Sequence, residues 1–356
     1  MNWLIWRLYR KQLFIFTGLL VVFAAVAIPS GLHFWHEYQH LIAGCAQKCN
    51  ETDLRNTIFK TDLDGLVVNF VKLALLGLPF LLGLFVGVPL LAKEYAEKTN
   101  KLVWTQGISR KKWLTSKLVW VLLVTIIYAG IFSAVAAWFS KTGDAISHDR
   151  FGSLAFSSQG LVPVAATVFA VSVGAMFGAW FKKVLPALGA TLALLLLVQI
   201  AVPVLARPHY VAPASHTTTS LLGDNKGGDP LRNLLQDNQG AWMVGEKMIS
   251  KNGQVFDWSN PPSSCKVAEP GMGPKQQAPK GDNPDAGDPE KRHGVMGRNN
   301  VFVDVDCLNS LGYHWEIKYQ PSYRYWNFQR IETGLYVSLS LLAVGVTYAF
   351  VTRRDA

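Results

Sequence analysis

Residues 182–207 read KKVLPALGATLALLLLVQIAVPVLAR, and no charged side chain lies between Lys183 and Arg207. As a helix this stretch rises about 34 Å at 1.5 Å per residue, enough to cross roughly 30 Å of bilayer hydrocarbon. Pro186 suits the first turn of such a helix, where a missing N–H costs nothing.

Five more runs of this kind flank it. One lies between Lys11 and Glu37, one ends at Lys93, and one runs from Lys117 to Lys141. A fourth fills the second half of the gap between Arg150 and Lys182, and the last lies between Glu332 and Arg353. Half of the 356 residues are hydrophobic and only 16% are charged, too little polar surface to enclose the apolar residues in water. The sequence therefore predicts an all-α integral membrane protein: helices one to five within 13–206, helix six at 332–352, and a short tail at 353–356. Lys182 and Lys183 alone join helices four and five, so those two are expected to form a tight antiparallel hairpin.

The formal charge of +10 does not point to nucleic acid, because the basic residues cluster at the ends of apolar runs. They act as topology signals. Arg7, Arg10 and Lys11 fall on one side. Alternate crossing brings Lys93, Lys98, Lys101, Arg110, Lys111 and Lys112, then Lys182 and Lys183, then Arg353 and Arg354, to that same side. Positively charged flanks stay in the cytoplasm, so both termini of this multi-pass chain are expected there, in a cell (plasma) membrane. The first run lacks a small-x-small cleavage site and is expected to remain as an anchor. Residues 1–12 mix Trp3, Trp6 and Tyr9 with these cations, as suits a short helix at the cytoplasmic interface.

Outside the membrane the largest segment is 207–331, expected to form a small, mixed, loop-rich domain between helices five and six. Pro, Gly, Lys, Asp and Gln dominate 261–290, which reads as a mobile loop. The alternating runs VFVDV (301–305) and YHWEIKY (313–319) suggest a small sheet. Tyr319, Tyr323, Tyr325, Trp326 and Phe328 read as an aromatic belt ahead of helix six.

All four cysteines fall in these outer regions, a segregation that favours disulfides in an oxidising compartment. Three pairings are open; Cys265 with Cys307 is preferred, stapling the base of the loop, with Cys45 joined to Cys49 if that turn is tight. His33, His36, Glu37 and His40 could share a helix face, but their order matches no zinc signature, and no metal is expected. Lys72 interrupts helix two about 31 Å from Lys93, where its head can snorkel to the outer interface. Gly77, Pro79, Gly83, Gly87 and Pro89 allow helix two to kink or approach a neighbour closely, although membrane helices also tolerate such residues without consequence.

Between helices two and three lies KEYAEKTNKLVWTQGISRKKWLTSK (93–117). Glu94, Glu97, Lys98 and Lys101, at three- and four-residue spacing, favour a short helix with paired charges. The segment resembles the cytoplasmic signature of type 2 ABC exporter permeases in Glu94, Thr99, Leu102 to Trp104, Ser109 with Arg110, and Lys117, and Trp113 fits it too. Thr99, Leu102, Trp104, Thr105 and Gln106 are especially similar to the actinobacterial form, as is YQPSYRYWNFQRIETG (319–334) before helix six. Where a common variant of the family has Gly before the Thr, this chain has Lys98.

That resemblance implies a permease that is not itself an enzyme: a homodimer working with two copies of a separate ATPase, which carries the ATP and Mg. Consistently, no G-x-x-x-x-G-K-[ST] phosphate loop occurs in the chain. Glu94, Glu97, Thr99, Arg110, Trp113 and Lys117 are then the candidates for coupling to the ATPase. The expected activity is export of an amphipathic or hydrophobic substrate, or its transfer between leaflets, with the substrate-binding residues unassigned. A membrane sensor or self-protection protein that binds an extracellular peptide or antibiotic is the alternative. A lipid-modifying enzyme finds no support, since there is no intramembrane acidic pair and no nucleophile beside a base.

Overall fold

The structure is a computed structural model that describes residues 2–44, 54, 57–59, 62–98, 109–147, 150–218, 240–267, 294–296 and 302–354. Six of its helical stretches are long and apolar enough to cross a membrane: Leu13–Gly44, Leu63–Ala96, Arg110–Phe139, Val162–Phe181, Val184–His209 and Ser322–Arg353. The chain divides into two compact units, one formed by 1–211 with 323–356 and one by 212–322.

The first unit is the helical bundle. Helix α1 (Asn2–Gly44) is unbroken, so residues 2–12 continue the first span in the same helix. The second span is α2 (Asp62–Leu82), a wider π-helical turn at Gly83–Gly87, and α3 (Val88–Ala96). The third is α4 (Arg110–Phe139), followed by two short helices, α5 (Lys141–Ser147) and α6 (Ser153–Ser158). Helices α7 (Val162–Phe181) and α8 (Val184–Ala201) form the expected hairpin across Lys182 and Lys183.

Helix α7 is the centre of the bundle. It packs against α2, α3, α4, α8 and the sixth span, and is buried along most of its length. Its composition explains the position, because Ala165, Ala166, Ala170, Ser172, Gly174, Ala175, Gly178 and Ala179 are all buried. Small side chains let backbones approach, which is the main packing device between helices when lipid is as apolar as the side chains. The closest approach is a reciprocal one between Gly83 and Gly87 of the second span and Gly174 and Gly178 of α7. A methyl added at Gly87 would lie 2.6 Å from the Val171 carbonyl oxygen, and one at Gly178 would lie 2.7 Å from that of Val88. Gly77, earlier on the same span, has nothing within 4 Å of an added methyl.

The second unit holds two small antiparallel sheets. Strands β1 (Ala214–Thr217), β2 (Trp242–Ile249) and β6 (His314–Gln320) form one, with β6 central; β3 (Lys266–Val267), β4 (Gly294–Met296) and β5 (Phe302–Asp304) form the other, with β5 central. The sequence runs VFVDV and YHWEIKY thus become β5 and β6. Asp304 ends β5 and caps helix α9 (Val305–Ser310) through the N–H groups of Asp306 and Cys307. Cys265 and Cys307 are joined by a disulfide, with Cα atoms 5.5 Å apart. The bond closes onto a core of Met248, Phe256, Val303, Val305 and Leu308. Cys45, Cys49 and most of 261–290 lie outside the described residues.

The sixth span, α10 (Tyr325–Ala349), begins two turns before the boundary that its charges suggest. Glu332 marks an end in the sequence, but here it lies inside the helix, 1% exposed, because Arg207 neutralises it. The aromatic belt splits in two. Tyr323 and Trp326 stay exposed, while Tyr325 and Phe328 turn inward onto Phe151 and Phe156.

Candidate functional site

At one end of the bundle, α3 runs out and α4 begins. Glu97 caps the carboxyl end of α3 and pairs with Lys93 at 3.9 Å, a half-exposed contact one turn apart that adds little stability. The following residue, Lys98, adopts φ 58°. Left-handed backbone after a helix is the usual place of glycine, which has no Cβ to collide with the chain. The structure therefore puts a lysine in a conformation that favours glycine. Ser109 opens α4 by accepting the Lys112 N–H at 3.4 Å, so the Ser-Arg pair is a helix start, with Arg110 as its first residue.

Glu94 and Lys117 meet across this end as a close ion pair between α3 and α4. Lys117 is buried and its ammonium also lies 4.6 Å from the ring centre of Trp113, itself 2% exposed. Three residues singled out in the sequence thus form one cluster. A charge this deep in an apolar bundle is tolerable only with its partner, and removing one member of such a pair typically costs about 3–5 kcal/mol. Arg110 and Glu97 stand nearer the rim, and Thr99 lies outside the described residues.

Neighbouring contacts tie the same end to the rest of the bundle. The Lys182 ammonium, at the α7–α8 turn, sits 5.3 Å from the ring centre of Tyr95 on α3. The Thr115 hydroxyl, one turn into α4, shares a 2.6 Å hydrogen bond with Tyr348 of α10. These contacts join the foot of α3 to spans three and four, and span three to span six.

The opposite end carries a polar cluster that the sequence did not disclose. Arg207 and Glu332 form a two-pronged ion pair, Nε to Oε2 at 3.0 Å and Nη2 to Oε1 at 2.9 Å. Arg207 Nη2 also donates to Ser157 Oγ at 3.1 Å, and its guanidinium lies 4.2 Å from the ring centre of Phe156. The Tyr210 hydroxyl donates to Glu332 at 3.4 Å, and burial together with that carboxylate pushes its pKa up. Next to this pair Gln329 caps α7 from another helix: its Oε1 accepts the N–H groups of Leu161 and Val162, and its Nε2 donates to the carbonyls of Phe156 and Gln159. Asp144 on α5 takes hydrogen bonds from Gln159 and Arg150. Burial holds its carboxyl above the ordinary range, opposed by those two partners and by the Lys72 charge. The one signal that could have revealed the cluster is that helices five and six are bounded at the same end by opposite charges, Arg207 and Glu332.

His33, His36 and His40 are exposed on α1, and among the described residues no three His, Cys, Asp or Glu side chains are placed to hold a metal.

An apolar bundle with six helices long enough to span a bilayer defines a polytopic membrane protein. Residues 17–207 match the family described as ABC-2 membrane transporter related, and the chain belongs to that family. It is accordingly a multi-pass permease subunit of an ABC transporter, a class whose ATPase is a separate partner. Comparison with curated proteins and with solved structures gave no match.

Proposed function

We propose that this chain is the membrane subunit of an ATP-driven exporter, assembled as a homodimer above two copies of an ATPase that binds ATP and Mg. Segment 93–117 faces the cytosol together with both chain termini, and it is the part that the ATPase grips. The substrate is amphipathic or hydrophobic and leaves the cell or changes leaflet.

The observation that carries this reading is the buried Glu94–Lys117 pair beside Trp113. It joins the last turn of α3 to the second turn of α4 on either side of the docking segment. A force applied between residues 98 and 109 would then move two spans together rather than bend a loop. Contacts from Tyr95 to Lys182 and from Thr115 to Tyr348 carry the displacement to the other spans.

The test is co-purification with the ATPase from the adjoining reading frame, followed by ATP hydrolysis in lipid nanodiscs. Glu94→Leu combined with Lys117→Met, which leaves no charge unpaired, should leave the complex intact and abolish the stimulation of hydrolysis that the permease confers, and Glu94→Lys combined with Lys117→Glu should restore part of it. Full stimulation in the Glu94→Leu, Lys117→Met variant, or labelling of a Ser109→Cys variant from outside intact cells, would sink the proposal.

A further inference from the structure

At the end of the bundle away from segment 93–117, residues 150–161 dip between the spans as a short plug. Phe151 and Phe156 are buried, stack on each other, and meet Tyr325 edge-on. The plug is pinned at two points. Gln329 holds its end by bonding the carbonyls of Phe156 and Gln159 and the first N–H groups of α7. Arg207 holds its middle, with one guanidinium nitrogen on Ser157, the charge over the Phe156 ring, and both carboxylate oxygens of Glu332 on the other edge.

We propose that the Arg207–Glu332 pair is a latch that keeps this mouth of the permease shut by clamping the plug to spans five and six, and that the pair must part for the mouth to open. A buried pair contributes little net stability, because desolvating two ions offsets most of their attraction; apolar side chains of equal volume would hold the helices as well. What an ion pair adds is a strong dependence on water. Dry, the fork is rigid and fully bonded; once water enters, the attraction falls by an order of magnitude or so and the pair behaves like a weak surface contact. Such a contact has two states, closed and dry or open and wet, with little between them, which is what a gate needs and a structural brace does not. Inward of the pair, Tyr336 and Ser340 continue the same buried stripe of α10 at four-residue spacing, so parting it exposes a route along that helix. The latch rests on the transporter reading only for what passes through the opened mouth.

The experiment uses the full chain in detergent, with Cys45→Ser and Cys49→Ser as background and Ser340→Cys as reporter, and measures the rate of reaction with a charged maleimide. With the native pair the reporter should react slowly. Glu332→Gln, which leaves Arg207 without its counter-charge, should raise the rate by about tenfold or more through more frequent local opening. Arg207→Lys, which keeps the charge and loses the fork, should raise it less. Arg207→Met with Glu332→Leu, which keeps the packing and leaves no charge for entering water to solvate, should react more slowly than the native pair, and Arg207→Glu with Glu332→Arg should react near the native rate. If Glu332→Gln reacts at the native rate, or the apolar pair reacts faster than the native protein, the latch is overturned. No ATPase is present, so a failed latch is distinguishable from a failed exporter reading, which stands or falls on stimulated hydrolysis.

Discussion

Gln329 and Gly160 fit so closely that a methyl group on Gly160 would lie 2.8 Å from the Gln329 side-chain oxygen. That oxygen accepts both leading N–H groups of α7, and Gly160 itself has φ 78°. Its carbonyl takes the Ser133 hydroxyl at 2.6 Å, fixing the peptide from the other side.

Gly160→Ala therefore combines left-handed strain with a displaced cap, and should cost about 2–3 kcal/mol. The check is the thermal midpoint of the purified chain in detergent. Gly130→Ala is the comparison, since nothing lies within 4 Å of an added methyl there and the helix gains propensity. Equal midpoints for the two variants would show that Gln329 does not hold the plug.

The glycine seam makes a second prediction. Gly174→Val places branched carbon where the Gly83 carbonyl and the Val88 N–H already sit, and the two spans must separate to admit it. The variant should fail to yield monodisperse protein, whereas Gly77→Val, on the same span as Gly83 and Gly87, should be recovered near the native level. Good yield of Gly174→Val would mean that the second and fourth spans are not in backbone contact.

Lys98→Gly should stabilise the end of α3, because glycine adopts φ 58° without the penalty of about 1 kcal/mol that a side chain carries. Thermal unfolding should rise slightly and coupling to the ATPase should persist. A loss of stimulated hydrolysis in this variant would show instead that the Lys98 side chain touches the ATPase.

Much of this architecture was legible in the residues because its causes are local. Charge-free runs set the six spans, the Lys182–Lys183 pair set the hairpin, and alternation set β5 and β6. Segregation of Cys265 and Cys307 outside the spans narrowed the pairing that the structure contains. Three of the coupling candidates, Glu94, Trp113 and Lys117, meet in one cluster. What escaped was long-range. Arg207 and Glu332 are 125 positions apart, and a rule that treats each charge as the end of a span cannot know that two of them cancel. Gln329 lay hidden in an aromatic stretch, since capping a helix 168 residues earlier leaves no local trace. Helix two displayed Gly77, Gly83 and Gly87 alike, and only the four-residue spacing shared with Gly174 and Gly178 separates the packed glycines from the free one.

Asp144 supplies the last prediction, one of pH. Its carboxyl lies outside the spans, and burial raises its folded-state pKa above the ordinary value of 3.8 despite Gln159, Arg150 and Lys72. The folded chain then holds this proton more tightly than the unfolded chain does, so the associated stability is fully present below pH 3.8 and is lost as pH climbs through the raised value. Asp144→Asn keeps the shape and cannot ionise. It should flatten that part of the stability profile, and at neutral pH it should match or exceed the native thermal midpoint, because burying the charge no longer costs anything. If the ion pair with Arg150 outweighed burial instead, the substitution would lower the midpoint at neutral pH and the native profile would rise with pH across the same window.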